Sequence, residues 1–198
     1  IIAGPLAGRL LAEMGADVIK IEPPWGEPWR LNQQFTPTES RGFMVYNRGK
    51  RSLPLDLTKP ESQEILGRLI PQVDVVLANF RPDVAAKLGV DYPTLDKLNP
   101  RLIYCEVTAH GRAGPEADRP GYDMILQAMS GLMACETKLD NGVPQQIWST
   151  PLIDTTAGFC LAWCVCGALF AREQTGKGQK VETSLLGSAL ALLGARFL

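Results

Sequence analysis

Two short apolar runs constrain this chain most: Val73–Ala78 (VDVVLA) and Leu102–Val107 (LIYCEV). Each has the length of a strand, and Asn79-Phe80-Arg81-Pro82 closes the first. Strands that are apolar on both faces belong to parallel sheets with helices packed on either side. Helical patterns fill the intervals between such runs here. That alternation implies an α/β architecture with a largely parallel sheet.

The remaining segments keep to the same plan. Gly4–Met14 puts Leu6, Leu10, Leu11 and Met14 on one helical face, and Gly15 stops it. Asp17–Glu22 (DVIKIE) predicts a β-branched strand, ended by Pro23-Pro24. Residues 25–50 are polar, aromatic and rich in turn formers, and predict a long surface excursion. Arg51–Leu57 alternates as a strand, which Pro54 assigns to an edge or a bend. Lys59-Pro60 opens a helix through Ile70. Short helices follow over 83–88 and 92–98. Asp123–Cys135 predicts one apolar helix and Thr155–Arg172 the longest one. Lys180–Thr183 predicts a last strand, before a terminal helix over 185–198.

Composition narrows the function. At 198 residues and 45% hydrophobic, the chain is one domain, or one with a fragment of a second. A net charge of -1 gives no basic field for nucleic acid. No Lys/Arg run flanks an apolar helix, so neither nucleic acid nor membrane is an expected partner. The stretch Ala157–Ala171 is shorter than the ~20 residues of a membrane span and predicts a buried core helix. The 5 cysteines are odd in number, and Cys160, Cys164 and Cys166 sit on that apolar helix as small hydrophobes. This favours a reducing, cytoplasmic setting over a disulfide framework. With His110 the single histidine, no metal site is expected. The opening Ile1-Ile2-Ala3-Gly4-Pro5, without Met or a signal-type segment, and the helical last residues read as a piece of a longer protein.

In parallel α/β sheets, ligands sit outside the carboxyl ends of the strands. Ala3-Gly4-Pro5, Asn79-Phe80-Arg81 and the segment 108–123 qualify. The first lacks the full G-x-G-x-x-G pattern of dinucleotide binders. Asn79-Phe80-Arg81 offers an amide, a stacking ring and a cation, suited to a nucleotide base and phosphate. Equally, Phe80 could plug the core and Arg81 pair with surface acids. Asp154, before a long apolar helix, reads either as an N-cap or as a carboxylate nucleophile near a helix N-terminus. Asp123, after Gly121-Tyr122, invites the same cap reading. Gly176-Lys177-Gly178-Gln179 reads as a tight turn between helix and strand.

Several segments in order resemble the class III CoA-transferases, the group of the formyl-CoA and carnitine CoA-transferases, to which α-methylacyl-CoA racemase is related. They are Gly4-Pro5-Leu6-Ala7 through Pro23-Pro24, Asn47-Arg48-Gly49-Lys50-Arg51-Ser52, Leu55-Asp56-Leu57, Asn79-Phe80-Arg81-Pro82, Arg119-Pro120-Gly121-Tyr122-Asp123, Gln127-Ala128-Met129-Ser130-Gly131 and Thr175-Gly176-Lys177-Gly178-Gln179. The resemblance implies a Rossmann-like parallel sheet with flanking helices, the large-domain portion of an interlocked-dimer fold. Residues 1–198 would then be the N-terminal, CoA-binding portion of a longer enzyme, with the second, smaller domain largely absent.

The resemblance also implies roles. Asp154 matches the catalytic aspartate. Ala3, Leu55, Asn79, Phe80, Arg81 and Lys87 match positions that bind CoA, and Tyr122 and Asp123 match residues beside the substrate. No tightly bound cofactor is implied; coenzyme A enters as the acyl-CoA substrate, with a carboxylic acid as the other partner. Ile2 stands where formyl-CoA transferase has a glutamine, which argues against formyl or oxalyl groups. Tyr122 stands where the racemase has a histidine, which argues against racemisation of a 2-methylacyl-CoA. A third reading, an inactive CoA-binding fragment, follows from the chain's length. A glycine-rich loop of the family would lie beyond Leu198.

Overall fold

The computed structural model describes residues 2–147 and 149–197. Helix α1 (Ala3–Glu13) leads into strand β1 (Val18–Glu22). After a short 3-10 turn over Pro28–Leu31 come α2 (Arg41–Asn47) and β2 (Lys50–Pro54), which pairs with β1 in parallel. Then α3 (Pro60–Leu69), β3 (Val75–Ala78), α4 (Pro82–Lys87), α5 (Tyr92–Leu95) and β4 (Ile103–Thr108) follow. The chain continues with α6 (Asp123–Met129), α7 (Leu132–Cys135) and a small antiparallel hairpin, β5 (Leu139–Asp140) with β6 (Val143–Pro144). It closes with α8 (Leu152–Thr175), β7 (Gln179–Ser184), α9 (Leu185–Leu193) and a 3-10 turn over Gly194–Phe197.

The parallel strands form two ladders rather than one, β1-β2 and β3-β4-β7. Strand β4 lies between β3 and β7, and its residues from Ile103 to Val107 are buried. Its alternation feeds two apolar layers. Cys105 and Val107 face α1, α8 and α9, whereas Tyr104 faces Leu55, Leu66, Ile70 and Leu95. Strand β3 departs from its expected burial on both faces. Val75 and Leu77 touch the first layer and Val76 the second, but at the ladder's edge all three stay half-buried.

The stretch 25–50 is not a loose excursion. Ser40 caps α2 by accepting from the Phe43 N–H at 3.0 Å and donates to the Trp29 carbonyl at 2.6 Å. Arg30 grips both oxygens of the buried Glu22 at 2.8 and 2.7 Å and lies 3.8 Å from the Phe43 ring centroid. Lys50 Nζ donates to the carbonyls of Pro5 and Tyr46 at 2.7 and 2.9 Å and to Asn47 Oδ1 at 2.8 Å. Burial pushes the Lys50 ammonium down to about 7. Polar anchors and a cation–π contact hold this segment down, so no apolar period marks it.

Two helices also differ from expectation. The segment 123–135 breaks into α6 and α7 because Gly131, at φ 79°, turns left-handed between them. Helix α8 runs 24 residues, starting before Asp154, and by length and composition alone it could cross a bilayer. One face packs on α1, β4 and α9, while Phe159, Trp163 and Phe170 project outward. It is therefore a half-buried helix rather than a wholly buried one. Helix α9 stops at Leu193, short of the expected terminus, and Leu198 lies outside the described residues.

Candidate active site

The carboxyl ends of β3 and β4 and the first turns of α1 and α8 converge on a cleft of about 240 Å³. This is where a parallel sheet opens to ligands. Ala3, Asn79, Phe80, Arg81, Tyr122 and Asp154, all singled out in the sequence, line it together. Asn79 packs against Gly4 in the first turn of α1, tying the β3 exit to that helix. Phe80 is 37% exposed and belongs to neither apolar layer, so it does not plug the core. Arg81 occupies the N-cap of α4 and makes no ion pair among the described residues.

Asp154 is not a cap. Pro151 holds that position, and Asp154 is the third residue of α8. Its backbone N–H donates to Asp123 Oδ1 at 2.8 Å, while Asp123 Oδ2 accepts from Gln127 Nε2 at 2.5 Å. Gln127 is itself buried and accepts the Ile147 N–H at 2.8 Å. Asp123 is thus a fixed brace behind α8, and it does not line the cleft. The Asp154 carboxylate receives no hydrogen bond among the described residues. Burial, with the Asp123 charge beside it, pushes Asp154 up to about 6. The N-terminal end of α8 favours the ionised form but does not offset those effects. The result is a carboxylate near neutrality, free of structural duty and open to the cleft.

Besides Asp123, two expected residues lie apart from the cleft. Leu55 is buried in the second apolar layer, and Lys87 sits on the exposed side of α4, paired with Asp83 at 2.9 Å. Sequence reasoning missed Arg112, which also lines the cleft. It donates through Nε and Nη2 to Glu106 at 3.1 and 2.5 Å. Burial raises the Glu106 carboxyl, but the Arg112 and Lys180 hydrogen bonds prevail and hold it below the usual range. The available signal was position, since Arg112 falls within 108–123 after a buried strand. Tyr46 of α2 was missed too; burial, then the Asp154 charge, raises its phenol.

Comparison with known proteins identifies the family and the fold. The sequence profile of CoA-transferase family III matches residues 1–198. The chain is 39% identical over 201 residues to the succinate–glutarate CoA-transferase of Agrobacterium fabrum, covering 98% of this chain and 50% of that protein. It is 39% identical over 194 residues to the acetyl-CoA:oxalate CoA-transferase of Acetobacter aceti, with 98% and 50% covered. Among solved structures it superposes on Rv3272 from Mycobacterium tuberculosis with a TM-score of 0.90 at 38% identity, covering 99% of this chain and 54% of that one. A CAIB/BAIF family protein from Brucella suis gives 0.89 at 36% identity, with 98% and 52% covered. The chain spans about half the length of the curated relatives it matches. By sequence and by fold, it belongs to CoA-transferase family III.

Proposed function

We propose that the whole protein transfers coenzyme A from an acyl-CoA to a carboxylic acid, with Asp154 as the carboxylate that carries the exchange. The observation that supports this most is Asp154 itself: an uncommitted carboxylate, pushed up to about 6, in a cleft shared with Phe80 and Arg81. Exchange of a thioester between two carboxylic acids is nearly thermoneutral, so a protein carboxylate can serve as intermediate acceptor. Asp154 attacks the thioester carbonyl and expels CoA thiolate, leaving a mixed anhydride. The thiolate then attacks the aspartyl carbonyl, releasing the first acid and forming an aspartyl-CoA thioester. The acceptor carboxylate repeats both steps in reverse, which regenerates Asp154 and yields the new acyl-CoA. Covalent catalysis of this kind divides one difficult transfer into easier steps.

In this reading Phe80 stacks on the adenine and Arg81 holds phosphate at the mouth of the cleft. Lys87 joins Arg81 at the phosphates, since its exposed i,i+4 pair with Asp83 contributes little and exchanges readily. Ala3 and Asn79 contribute to the CoA site, with Tyr122 beside the acyl group; Leu55 underlies that site from the second apolar layer and Asp123 supports it by holding the Asp154 backbone. These residues form the Rossmann-like, CoA-binding part of an interlocked homodimer in a reducing cytoplasm. Relatives named for succinate–glutarate, oxalate and malate transfer support the reading of a small organic acid as acceptor.

The test uses the full-length enzyme. Asp154→Ala is expected to abolish CoA transfer while the protein stays folded, and substantial retained turnover would refute the assignment. The pair Arg81→Ala and Lys87→Ala is expected to raise the KM for acyl-CoA and barely change that for the acid. Wild-type affinity for CoA in that double variant, measured by calorimetry, would place the nucleotide elsewhere.

A further inference from the structure

We infer that Arg112 anchors a second carboxylate on the acid exchanged at Asp154, so that the site takes dicarboxylic acids; this rests on the CoA-transfer reading above. Arg112 and Asp154 line the same cleft. The guanidinium is fixed from behind, with Nε and Nη2 on the two oxygens of Glu106, a buried residue of the central strand β4. Its remaining nitrogen, Nη1, is shielded from solvent and has no partner among the described residues. A desolvated donor is costly to leave unpaired, so it marks the place for an acceptor that arrives with a ligand.

The other cations of the cleft suit this role less well. Arg119 is committed to Glu116 at 2.8 Å on the exposed rim. Arg81 stands exposed beside Phe80, where the nucleotide is placed. Arg112, already held as a fork, loses little freedom on binding, and its part-buried position strengthens attraction to an anion. The carboxylates on the cleft are Asp154, which is neutral whenever it is acylated, and Asp118, which is exposed. A monocarboxylic acid spends its one carboxylate on the exchange at Asp154. A dicarboxylic acid has a second to offer Arg112.

Removal of Arg112 leaves no orphaned charge. Glu106 keeps Lys180 Nζ at 2.6 Å. The experiment uses full-length enzyme with succinyl-CoA as donor and compares kcat/KM for glutarate with that for pentanoate. In ping-pong exchange this parameter reports the acceptor half-reaction alone. Wild type is expected to prefer glutarate, and Arg112→Gln to lower the glutarate-to-pentanoate ratio roughly ten- to a hundredfold, as loss of one charge-assisted hydrogen bond predicts. If that variant fails to fold, the pair Glu106→Gln with Arg112→Gln removes both charges together and is expected to show the same drop. An unchanged ratio, or a change confined to the KM for succinyl-CoA, overturns the role of Arg112 and leaves CoA transfer standing. No transfer by folded wild type to either acid overturns both.

Discussion

Asp154 and Asp123 are one turn of chemistry apart in role, although both open helices and both invited a cap reading. Pro151 takes the cap of α8, so the Asp154 side chain is released, whereas Asp123 spends both oxygens on the Asp154 N–H and on Gln127. Sequence alone left that choice open, because it depends on where α8 begins. The Asp154 pKa of about 6 has consequences of definite sign. The carboxylate is the nucleophile, so kcat/KM for acyl-CoA should fall about tenfold per pH unit below that value. Asp123→Asn keeps an acceptor for the Asp154 N–H but removes the neighbouring charge, and should move this limb to lower pH; an unmoved limb would deny the coupling. Stability runs the other way. A raised carboxyl pKa favours the neutral form in the fold, so its contribution is present at low pH and lost as pH rises through 6. Asp154→Asn should therefore exceed wild type by on the order of 2 kcal/mol above pH 6, with the gap closing near pH 4 in denaturant titrations.

Among the elements, the contact of α1 with α8 sets the floor of the cleft. It is close because Gly158 has no side chain: a Cβ there would lie 2.9 Å from Leu6 Cδ2 and 3.0 Å from the Ala3 carbonyl oxygen. Gly158→Ala gains helix propensity but must push α1 away. A net loss of about 1–3 kcal/mol is expected, with a raised KM for acyl-CoA because Ala3 lines the cleft. A variant as stable as wild type in chemical denaturation would contradict this packing account. The order of strands and helices was legible because apolar period records which face is buried. The folded segment 25–50 was not, since Arg30, Glu22, Ser40 and Lys50 hold it through polar contacts that leave no period. The break between α6 and α7 hides in a single residue, Gly131, inside an otherwise continuous apolar pattern.

At the scale of the molecule, α8 bridges the cleft and an uncovered apolar face. Phe159, Trp163 and Phe170 are 54%, 80% and 72% exposed on one side of that helix. An apolar aromatic stripe of this kind drives association. The 198-residue chain alone should therefore show concentration-dependent sedimentation, and Trp163→Glu should shift it toward monomer; a parent chain that is monomeric throughout would contradict this. Asp154 lies at the other end of α8, in its first turn. Full-length enzyme incubated with succinyl-CoA and quenched with hydroxylamine should carry a hydroxamate on the Asp154 peptide in mass spectrometry, since only an activated aspartyl carbonyl reacts that way. An unmodified Asp154 in enzyme that is turning over, or a hydroxamate on another carboxylate, would contradict the account.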